Sequence, residues 1–403
     1  MRIGLAFHGD PMSPSAWSGT PAGLARAFQE LGHEVIPLSA QPPQVWDVRA
    51  LRLLALPYVL PELAPMLRGQ SWGETAALAR GTSRISLGYK ALGSAMMRRA
   101  LKAAGRLDLV VRLGTSFEVA HPCVVTYEDL TVRQVIRAGW DDWARLDKFS
   151  QDRRVSAQGR AYRSASAVCA ATPWAARSML KEYGASPKKV HAVGIGINRS
   201  IPARHRNWQT PRFLFVGKDW VDKNGPTLLE AFAHVHAMVP EATLDVVGHH
   251  PRIDQPGVQG HGFQPLGSPE SQRLMHELYG RATCLVVPTS FEPAGIVYLE
   301  AAGAGIPSIG PSSGGAGDLI GRGGMTVAPG NTQELVAAMM HMTDATAAQS
   351  MGVIARQRAP LFTWLATAQR ILQSAALSQW DESLWSNLFP EQPACSAVRL
   401  EGG

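Results

Sequence analysis

Short apolar runs typical of strands alternate with segments of helical periodicity along most of the chain, and this alternation constrains the fold more than any other feature. In the first half the candidate strands are Arg2–Phe7, Glu34–Leu38, Leu107–Leu113, Cys123–Tyr127, Val168–Ala171 and Val190–Val193. Segments with apolar residues at helical spacing lie between them, for example Pro21–Leu31. Strands that are joined by helices pair in parallel, so the pattern predicts an α/β doubly wound sheet.

A polar, proline-containing stretch after Asn198 interrupts the pattern, and a second series follows it. Its candidate strands are Phe213–Val216, Thr243–Val247, Leu285–Pro288 and Pro307–Gly310, and its candidate helices are Pro226–Met238, Ser271–Ala282, one from about Ile296, and Thr332–Met342. We therefore predict two Rossmann-like domains, residues 1–200 and 201–362, that face each other across a ligand-binding cleft. A final helix, Trp364–Leu377, belongs to residues 363–403, which we expect to pack back on the first domain.

The composition of the 403 residues excludes several classes of protein. Apolar residues make up 45% and charged residues 18%, as in an ordinary globular chain. The four cysteines lie far apart with no Cys-x-x-Cys pair, which favours buried thiols over disulfides or a zinc site. No apolar stretch approaches the roughly 18 residues of a membrane span. The first residues indicate a strand rather than a signal peptide, so we expect a cytoplasmic protein.

The charge of the chain favours an anionic partner. Lys and Arg number 39 and Asp and Glu 32, which gives a formal net charge of +7. Such a surplus fits nucleic acid, an acidic lipid surface or a phosphorylated small molecule, and composition does not choose among the three.

The segment Val286–Ile320 carries the most informative arrangement of polar residues. A buried strand ends near Pro288, and Glu292 follows in a loop. A helix then begins near Gly295, with Glu300 inside it. Free N–H groups at a helix N-terminus suit a phosphate, whereas the two carboxylates repel one and suit sugar hydroxyls. The alternative is that the first glutamate caps the helix and the second is solvated on its surface.

Two further segments are candidates for anion binding. Lys218 and Lys223 flank a strand-to-helix turn, where they can converge on a diphosphate and supply charge in place of a metal ion. Solvated loop lysines are the alternative. Gly19 precedes the first helix, at the position where a Rossmann fold brings backbone close to a phosphate or sugar. The alternative is that Gly19 is a simple turn residue.

Glu292 and Glu300 form an E-x7-E pair within EPAGIVYLEAAGAGIPSIGPSSGG, and VGKDWVDKNGPTLLEAF with its two lysines lies upstream. Together these segments resemble the nucleotide-sugar-binding half of retaining family 4 glycosyltransferases of the GT-B fold. The opening strand, the SGT of the first loop and LGHEV are similar to the N-terminal half of that family. The resemblance implies transfer of a sugar from a nucleotide-diphosphate donor to an acceptor hydroxyl, with retention of the anomeric configuration.

The resemblance also implies roles for individual residues. Glu292 is expected to contact hydroxyls of the donor sugar, and Glu300 the nucleotide ribose. Lys223 matches the family's lysine, whereas Lys218 stands where the family usually has arginine, so the charge is kept and the bidentate fork is lost. Other donor-binding positions implied by the resemblance are Gly19, Phe263, Ala294, Gly295, Ile296 and Val297, mostly through their backbone groups.

One segment departs from the family pattern. Family members commonly carry a histidine after an N-domain strand, near the donor sugar and diphosphate, where VVTYEDLTV has Glu128 or Asp129. A carboxylate donates to phosphate only when it is protonated, so we expect these two residues on the acceptor side, binding a hydroxyl or amine. A helix cap or turn is the alternative. His121 lies seven residues earlier and is expected to be structural.

We expect neither a cofactor nor a metal ion. The sequence contains no Asp-x-Asp triplet of the kind that holds Mg²⁺ or Mn²⁺ in metal-dependent transferases. The resemblance implies front-face attack, in which the leaving diphosphate accepts the proton of the acceptor while lysines and helix amides stabilise the developing charge.

The segment Ile85–Leu107 holds part of the remaining basic charge. At helical spacing Leu92, Met96, Ala103 and Leu107 lie on one side, and Arg98, Lys102 and Arg106 on another. Such a helix can contact an anionic membrane or line an acceptor site, and the alternative is a core-facing helix with a solvated basic face.

Two other functions stay open at this point. An epimerase or phosphorylase on the same architecture turns over without a separate acceptor, or with free phosphate. A nucleic-acid-binding protein fits the positive charge, but the sequence has no basic run interleaved with aromatic residues and no recognisable binding module. We therefore expect a nucleotide sugar and an acceptor of unknown identity as partners, and no nucleic acid.

Overall fold

The computed structural model describes residues 1–41, 87–140, 143, 146–199, 201, 205–379, 381–386 and 388–390. Within these ranges the strands form two sheets of six strands each, and every strand pairing is parallel. The predicted α/β class with two Rossmann-like sheets is confirmed. Below, the first half is residues 1–199 and the second half is residues 205–361.

The first sheet is built from strands of three to six residues. Its strands are β1 (Arg2–Phe7), β2 (Glu34–Ser39), β3 (Leu109–Leu113), β4 (Val124–Glu128), β5 (Ala167–Ala170) and β6 (Val190–Ala192), in the spatial order β2-β1-β3-β4-β5-β6. The helices are α1 (Thr20–Glu30), α2 (Leu87–Ala104), α3 (Val132–Arg137), α4 (Lys148–Ser164) and α5 (Pro173–Tyr183). Side chains of β3 and β4 are buried along their whole length, because helices cover both faces of a parallel sheet.

The second sheet repeats this organisation. Its strands are β7 (Arg212–Asp219), β8 (Thr243–His249), β9 (Val258–Gly260), β10 (Cys284–Val286), β11 (Ser308–Pro311) and β12 (Gly324–Val327), in the order β12-β11-β10-β7-β8-β9. The helices after β7 are α6 (Gly225–Met238), α7 (Pro269–Arg281), α8 (Ile296–Ala304), α9 (Ala316–Ile320), α10 (Thr332–His341), α11 (Ala345–Arg358) and α12 (Trp364–Ser374). The two central strands of this sheet are β10 and β7.

The last helix, α12, packs against the first half. Trp364, Ile371 and Leu372 belong to the same buried cluster as Leu24 and Phe28 of α1. Their burial removes apolar surface of both helices from water. The boundaries 1–200, 201–362 and 363–403 stay a prediction.

Two arginines of the segment between the sheets are buried, although its sequence is polar. Arg206 donates hydrogen bonds to the carbonyl oxygens of Ala282 and Ala304, which end α7 and α8. Arg199 lies against Glu300 and is described with the site. Arg199 and Arg206 therefore both pack into the second half.

The amphipathic segment over 85–107 is a helix from Leu87 to Ala104, and residues 85 and 86 lie outside the described residues. The predicted apolar face was partly wrong: Met97 is fully buried, Met96 is half-buried and Ala103 is exposed. The helix is therefore rotated about its own axis by about one residue position relative to the expected orientation. Arg98 and Lys102 of this helix are exposed, as is Arg106 beyond its end, which agrees with the alternative of a solvated basic face; contact with a membrane stays a prediction.

Candidate active site

Lys218 and Lys223 lie at the carboxyl end of β7, one on each side of a tight turn. Lys218 is exposed, and Lys223 is half-buried with its stem folded over Gly217. A Cβ atom on this glycine would lie 2.8 Å from Cγ of Lys223, so the lysine can take this position only because the residue beneath it has no side chain. Asn224, with a positive φ of 56°, closes the turn and donates to the carbonyl of Pro288 at 2.9 Å.

Glu292 stands directly beside Lys223. The ammonium Nζ of the lysine donates to Oε2 of Glu292 at 2.5 Å, and both side chains are largely buried. The backbone of the glutamate is fixed as well, since its carbonyl accepts from the N–H of Gly315 at 2.9 Å. The alternative of a helix cap is wrong for Glu292: the N-cap of α8 is Gly295, and no side chain caps this helix.

The N-terminus of α8 opens onto this ion pair. Gly295 has a φ of 87°, a left-handed conformation that suits glycine, and a Cβ atom there would meet the ring of Tyr298. Ala294 is buried, whereas Gly295, Ile296 and Val297 are half-buried. The first N–H groups of a helix have no intrahelical acceptor, so this end can bind phosphate oxygens between the two lysines.

Glu300 lies one turn into α8 and is only 2% exposed, so the alternative of a solvated carboxylate is wrong. Its Oε2 accepts a hydrogen bond from the hydroxyl of Tyr279 at 3.2 Å and lies 3.6 Å from the guanidinium of Arg199. Burial raises the pKa of Glu300, and the charge of Arg199 opposes that rise. The Nε atom of this arginine is buried and has no acceptor among the described residues.

Phe263 lies beyond the carboxyl end of β8, at the edge of the second sheet. Its ring is 43% exposed and stacks on His249, with centroids 4.5 Å apart and an interplanar angle of 12°. The ring face opposite His249 can therefore stack on a planar group.

Gly19 lies in the first half, directly before α1. Its φ is 83°, and a Cβ atom would lie 3.1 Å from the side-chain atoms of Asn198. That asparagine also accepts from the indole of Trp364 at 3.0 Å and donates to the carbonyl of Ser18. The loop is therefore anchored to the point where the chain leaves the first half.

Glu128 ends β4 and is buried in a ring of donors. Its Oε1 accepts from the hydroxyl of Thr115 at 2.8 Å, and both oxygens accept from the amide of Gln158, at 3.0 and 3.2 Å. The hydroxyl of Tyr162 donates to Oε2. Burial raises the pKa of Glu128, and these donors together with Arg112 oppose the rise.

Asp129 follows and points the other way. Its Oδ2 accepts from the indole N–H of Trp17 at 2.9 Å. Burial raises the pKa of Asp129 to about 7, and the charges of Glu128 and Glu292 add to the rise. Because the charge of Glu292 contributes to this rise, Asp129 interacts electrostatically with the Lys223–Glu292 ion pair of the second half. The alternative of a cap is wrong for both acidic residues, since Thr131 caps α3.

His121 has the structural role expected of it. Its ring contacts the backbone of Cys123 and the carbonyl oxygen of Leu107.

Sequence reasoning missed several residues that complete the site. No sequence pattern marked Arg199 as a site residue, because it lies in a polar segment without helical or strand periodicity. Trp17 was hidden in a turn-rich loop, where its φ of 41° is uncommon for a residue with a side chain. Trp140 lies between the halves, with its ring edge-on to Phe291 at 5.9 Å.

Among the residues that the structure describes, no group of three or more His, Cys, Asp or Glu side chains comes together as metal ligands would. In the same residues, no helix combines the length and the apolar character that a membrane crossing requires.

A family comparison assigns the half of the chain that carries Lys223, Glu292 and Glu300. Residues 210–344 match the family model described as "Glycosyl transferases group 1". This part of the second half is similar to group 1 glycosyltransferase domains. The sequence-based recognition of a GT-B glycosyltransferase is thereby confirmed, and its two-sheet architecture agrees with that of GT-B structures.

Curated proteins similar to this chain match it along part of their length. Glycogen synthase of Mycobacterium tuberculosis is 28% identical over 204 residues, 47% of this chain and 49% of that protein. D-inositol 3-phosphate glycosyltransferase of Streptosporangium roseum is 27% identical, over 56% of this chain and 58% of its own. The chain thus spans about half the length of the curated relatives it matches.

Solved structures show the likeness of the whole fold. Sucrose-phosphate synthase from Thermosynechococcus elongatus superposes with a TM-score of 0.63 at 18% identity, covering 93% of this chain and 98% of that one. The Anabaena protein HepE, solved in complex with UDP-glucose, superposes with a TM-score of 0.57 at 14% identity, covering 93% and 99%. At these identities the likeness concerns the fold.

Proposed function

We propose that this protein is a retaining glycosyltransferase that moves a sugar from a nucleotide-diphosphate donor to an acceptor hydroxyl, without a metal ion. The observation that carries the proposal is the arrangement at the N-terminus of α8. There the ion pair of Lys223 with Glu292 stands beside free helix amides, and the buried Glu300 lies one turn further on.

The chemistry of these groups fits the parts of such a donor. Helix amides and the two lysines supply positive charge for the diphosphate. Glu292 accepts hydrogen bonds from sugar hydroxyls on one side, and Glu300, already a hydrogen-bond acceptor for Tyr279, can accept one from the ribose on the other. HepE, with the same fold, was solved with UDP-glucose, which supports a nucleotide sugar as the partner here.

Retention is implied by the family resemblance, and the two carboxylates that face the proposed sugar site in the described part of the chain are already engaged, which favours front-face attack over a covalent intermediate. Glu292 is held by Lys223, and Asp129 by Trp17. In the proposed mechanism the acceptor hydroxyl attacks from the face that the diphosphate leaves, and a phosphate oxygen takes its proton. Lys218, Lys223 and the amides of α8 stabilise the negative charge that develops on the leaving group.

The names of the relatives do not agree on an acceptor. One is named for glycogen and another for inositol 3-phosphate. The proposal therefore leaves the acceptor to the geometry of the first half.

The donor site is tested with a panel of UDP-, GDP-, ADP- and dTDP-sugars. One nucleotide sugar is expected to raise the melting temperature of the full chain, and Lys223→Ala and Glu300→Gln should each abolish that shift. Lys223→Ala should also slow release of the nucleoside diphosphate by about 100-fold, the usual cost of removing one group that stabilises developing charge. Proton NMR of the product reports its anomeric configuration, and EDTA tests the independence from metal ions.

Lys181→Ala is the matched control, because Lys181 is an exposed lysine on α5, away from the cleft. It should keep both the thermal shift and the rate. Full activity of Lys223→Ala, or a product of inverted configuration, would contradict the proposal.

A further inference from the structure

Two adjoining cavities open on the first half, on the side of Glu128. The larger, of about 470 Å³, is called here the arginine cavity; its charged lining residues are Lys90, Arg98, Arg153, Arg160, Glu118 and Asp152. The smaller, of about 280 Å³, is called the tryptophan cavity; its lining includes Trp140, Trp143, Thr115, Glu128, Gln158 and Lys90. Lys90 and Ala157 line both, so the two cavities are neighbours.

The arginine cavity has an excess of positive charge that the described residues do not neutralise. Lys90, Arg98 and Arg160 form no ion pair or side-chain hydrogen bond within the described ranges. Asp152, one of its two acids, is already paired with Lys148 at 2.6 Å. Cations that converge on a concave surface without anionic partners form a site for a multiply charged anion such as phosphate.

Lys90 is half-buried, whereas Arg98 and Arg160 are exposed. Burial lowers the pKa of Lys90, and the charges of Arg112 and Arg160 add to that effect, while Glu118 and Glu128 oppose it. A half-buried ammonium among guanidinium groups is stabilised when an anion binds beside it.

The tryptophan cavity has a different chemistry. Two indole rings supply flat apolar surface, and the carboxylate of Glu128 with the side chains of Thr115 and Gln158 supplies a compact polar cluster. A few fixed polar groups in an otherwise aromatic wall are typical of small-molecule sites. A sugar or polyol ring, with one apolar face and hydroxyls at its rim, fits this combination.

The tryptophan cavity also adjoins the donor site. Trp140 contacts Phe291, which directly precedes Glu292. A ring bound in this cavity would therefore lie next to the loop that carries Glu292.

We propose that the two cavities together form the acceptor site, and that the acceptor is a phosphorylated sugar or polyol. The ring occupies the tryptophan cavity, and its phosphate is bound by Lys90, Arg98 and Arg160 in the arginine cavity. This inference rests on the proposed function, because it assigns the second substrate of the same reaction.

The first test measures binding and turnover on the full chain. Hexose 6-phosphates and inositol phosphate are compared with the same compounds without phosphate, and inorganic phosphate serves as the probe of the arginine cavity alone. A phosphorylated compound should bind and should accelerate release of the nucleoside diphosphate, and its neutral counterpart should not. Equal responses to the two forms would overturn the proposal.

The second test reverses charge inside and outside the arginine cavity on the same two helices. Arg98→Glu with Arg160→Glu changes one exposed residue of α2 and one of α4 that line the cavity. Lys102→Glu with Arg163→Glu makes the same charge change on exposed residues of those helices that are not among its lining residues. The first pair should raise KM for the phosphorylated acceptor at least about tenfold with little change in kcat, and the second pair should change KM by less than about twofold.

The phosphate can belong to a free sugar phosphate or to a lipid headgroup. Vesicles that contain phosphatidylinositol are therefore tested beside the soluble compounds; turnover with either supports the proposal if the first variant pair suppresses it and the second does not. Identical behaviour of the two pairs would overturn it. Failure of the donor to shift the melting temperature counts against the proposed function instead, since both variant pairs should keep the donor shift.

Discussion

At the level of single residues, the site brings two carboxylates of like charge towards each other across the cleft. Asp129 belongs to the first half and Glu292 to the second, yet their charges interact. The structure tolerates this because Lys223 pairs with Glu292, and because the pKa of Asp129 is raised to about 7, so that it is partly protonated near neutral pH.

Asp129 should make the stability of the protein depend on pH. An unfolded aspartate has a pKa of about 3.9, so between about pH 4 and pH 7 the folded state binds more protons than the unfolded state. The free energy of unfolding therefore falls as pH rises through this window. Asp129→Asn keeps an acceptor for the indole of Trp17 and removes the titration. We expect a flatter pH profile and a variant that is more stable than the wild type at pH 8.

Urea unfolding at pH 5, 6, 7 and 8, followed by circular dichroism, measures this profile. Asp254→Asn is the control, because Asp254 is exposed on a loop of the second half, and it should leave the slope unchanged. Parallel profiles for the wild type and Asp129→Asn would show that Asp129 does not titrate in this window.

Single residues also show which parts of the site a sequence reveals. The spacing of Lys223, Glu292 and Glu300 is readable, because each follows a strand and the strand ends meet at one edge of the sheet. The place of Arg199 in the site cannot be predicted from the sequence. Its burial depends on Glu300, about a hundred residues away, and on the carbonyl oxygen of Gln264.

At the level of elements, strands were predicted better than the faces of helices. The apolar runs place β1, β4 and β8 within two residues of the observed bounds, since burial on both faces leaves a continuous apolar signature. Which face of α2 is buried could not be predicted from the sequence, because Met96 and Met97 are adjacent and equally apolar. Only the packing of the helix in the fold selects Met97 for the buried face.

The docking of α12 gives a prediction at this scale. Gly196 and Gly23 lie against Trp364, and a Cβ atom on Gly196 would lie 2.5 Å from the backbone nitrogen of that tryptophan. Gly196→Ala must therefore displace the start of α12. We expect a loss of about 1–3 kcal/mol in the free energy of unfolding, as for other overpacked sites, and faster hydrogen exchange in α12 than in α6.

Gly267→Ala is the matched substitution, because Gly267 is exposed and a Cβ atom there meets nothing within 4 Å. It should leave both the stability and the exchange rates near those of the wild type. If Gly196→Ala were equally silent, α12 would not be held against the first half in the way described.

At the level of the whole molecule, the chain passes between the halves at two places that touch each other. The N–H of Ile197 in the outgoing segment donates to the carbonyl oxygen of Phe362 in the returning segment at 3.2 Å, and Asn198 accepts from the indole of Trp364. Two adjacent crossings form a natural axis about which the halves can rotate. The sequence indicated one interruption, after Asn198, but the pairing of the two crossings depends on the return of α12.

Binding of the donor should close the halves about this axis. The proposed donor site lies in the second half, and Asp129 approaches it from the first, so a bound nucleotide sugar gains contacts when the cleft narrows. Small-angle X-ray scattering should show a smaller radius of gyration with a saturating nucleotide sugar than without it. Lys223→Ala should show no such change at the same donor concentration, because it lacks the charge that binds the diphosphate. Lys181→Ala should compact as the wild type does. A radius that stays constant in the wild type, under conditions in which the melting temperature shows the donor bound, would mean that the halves do not move.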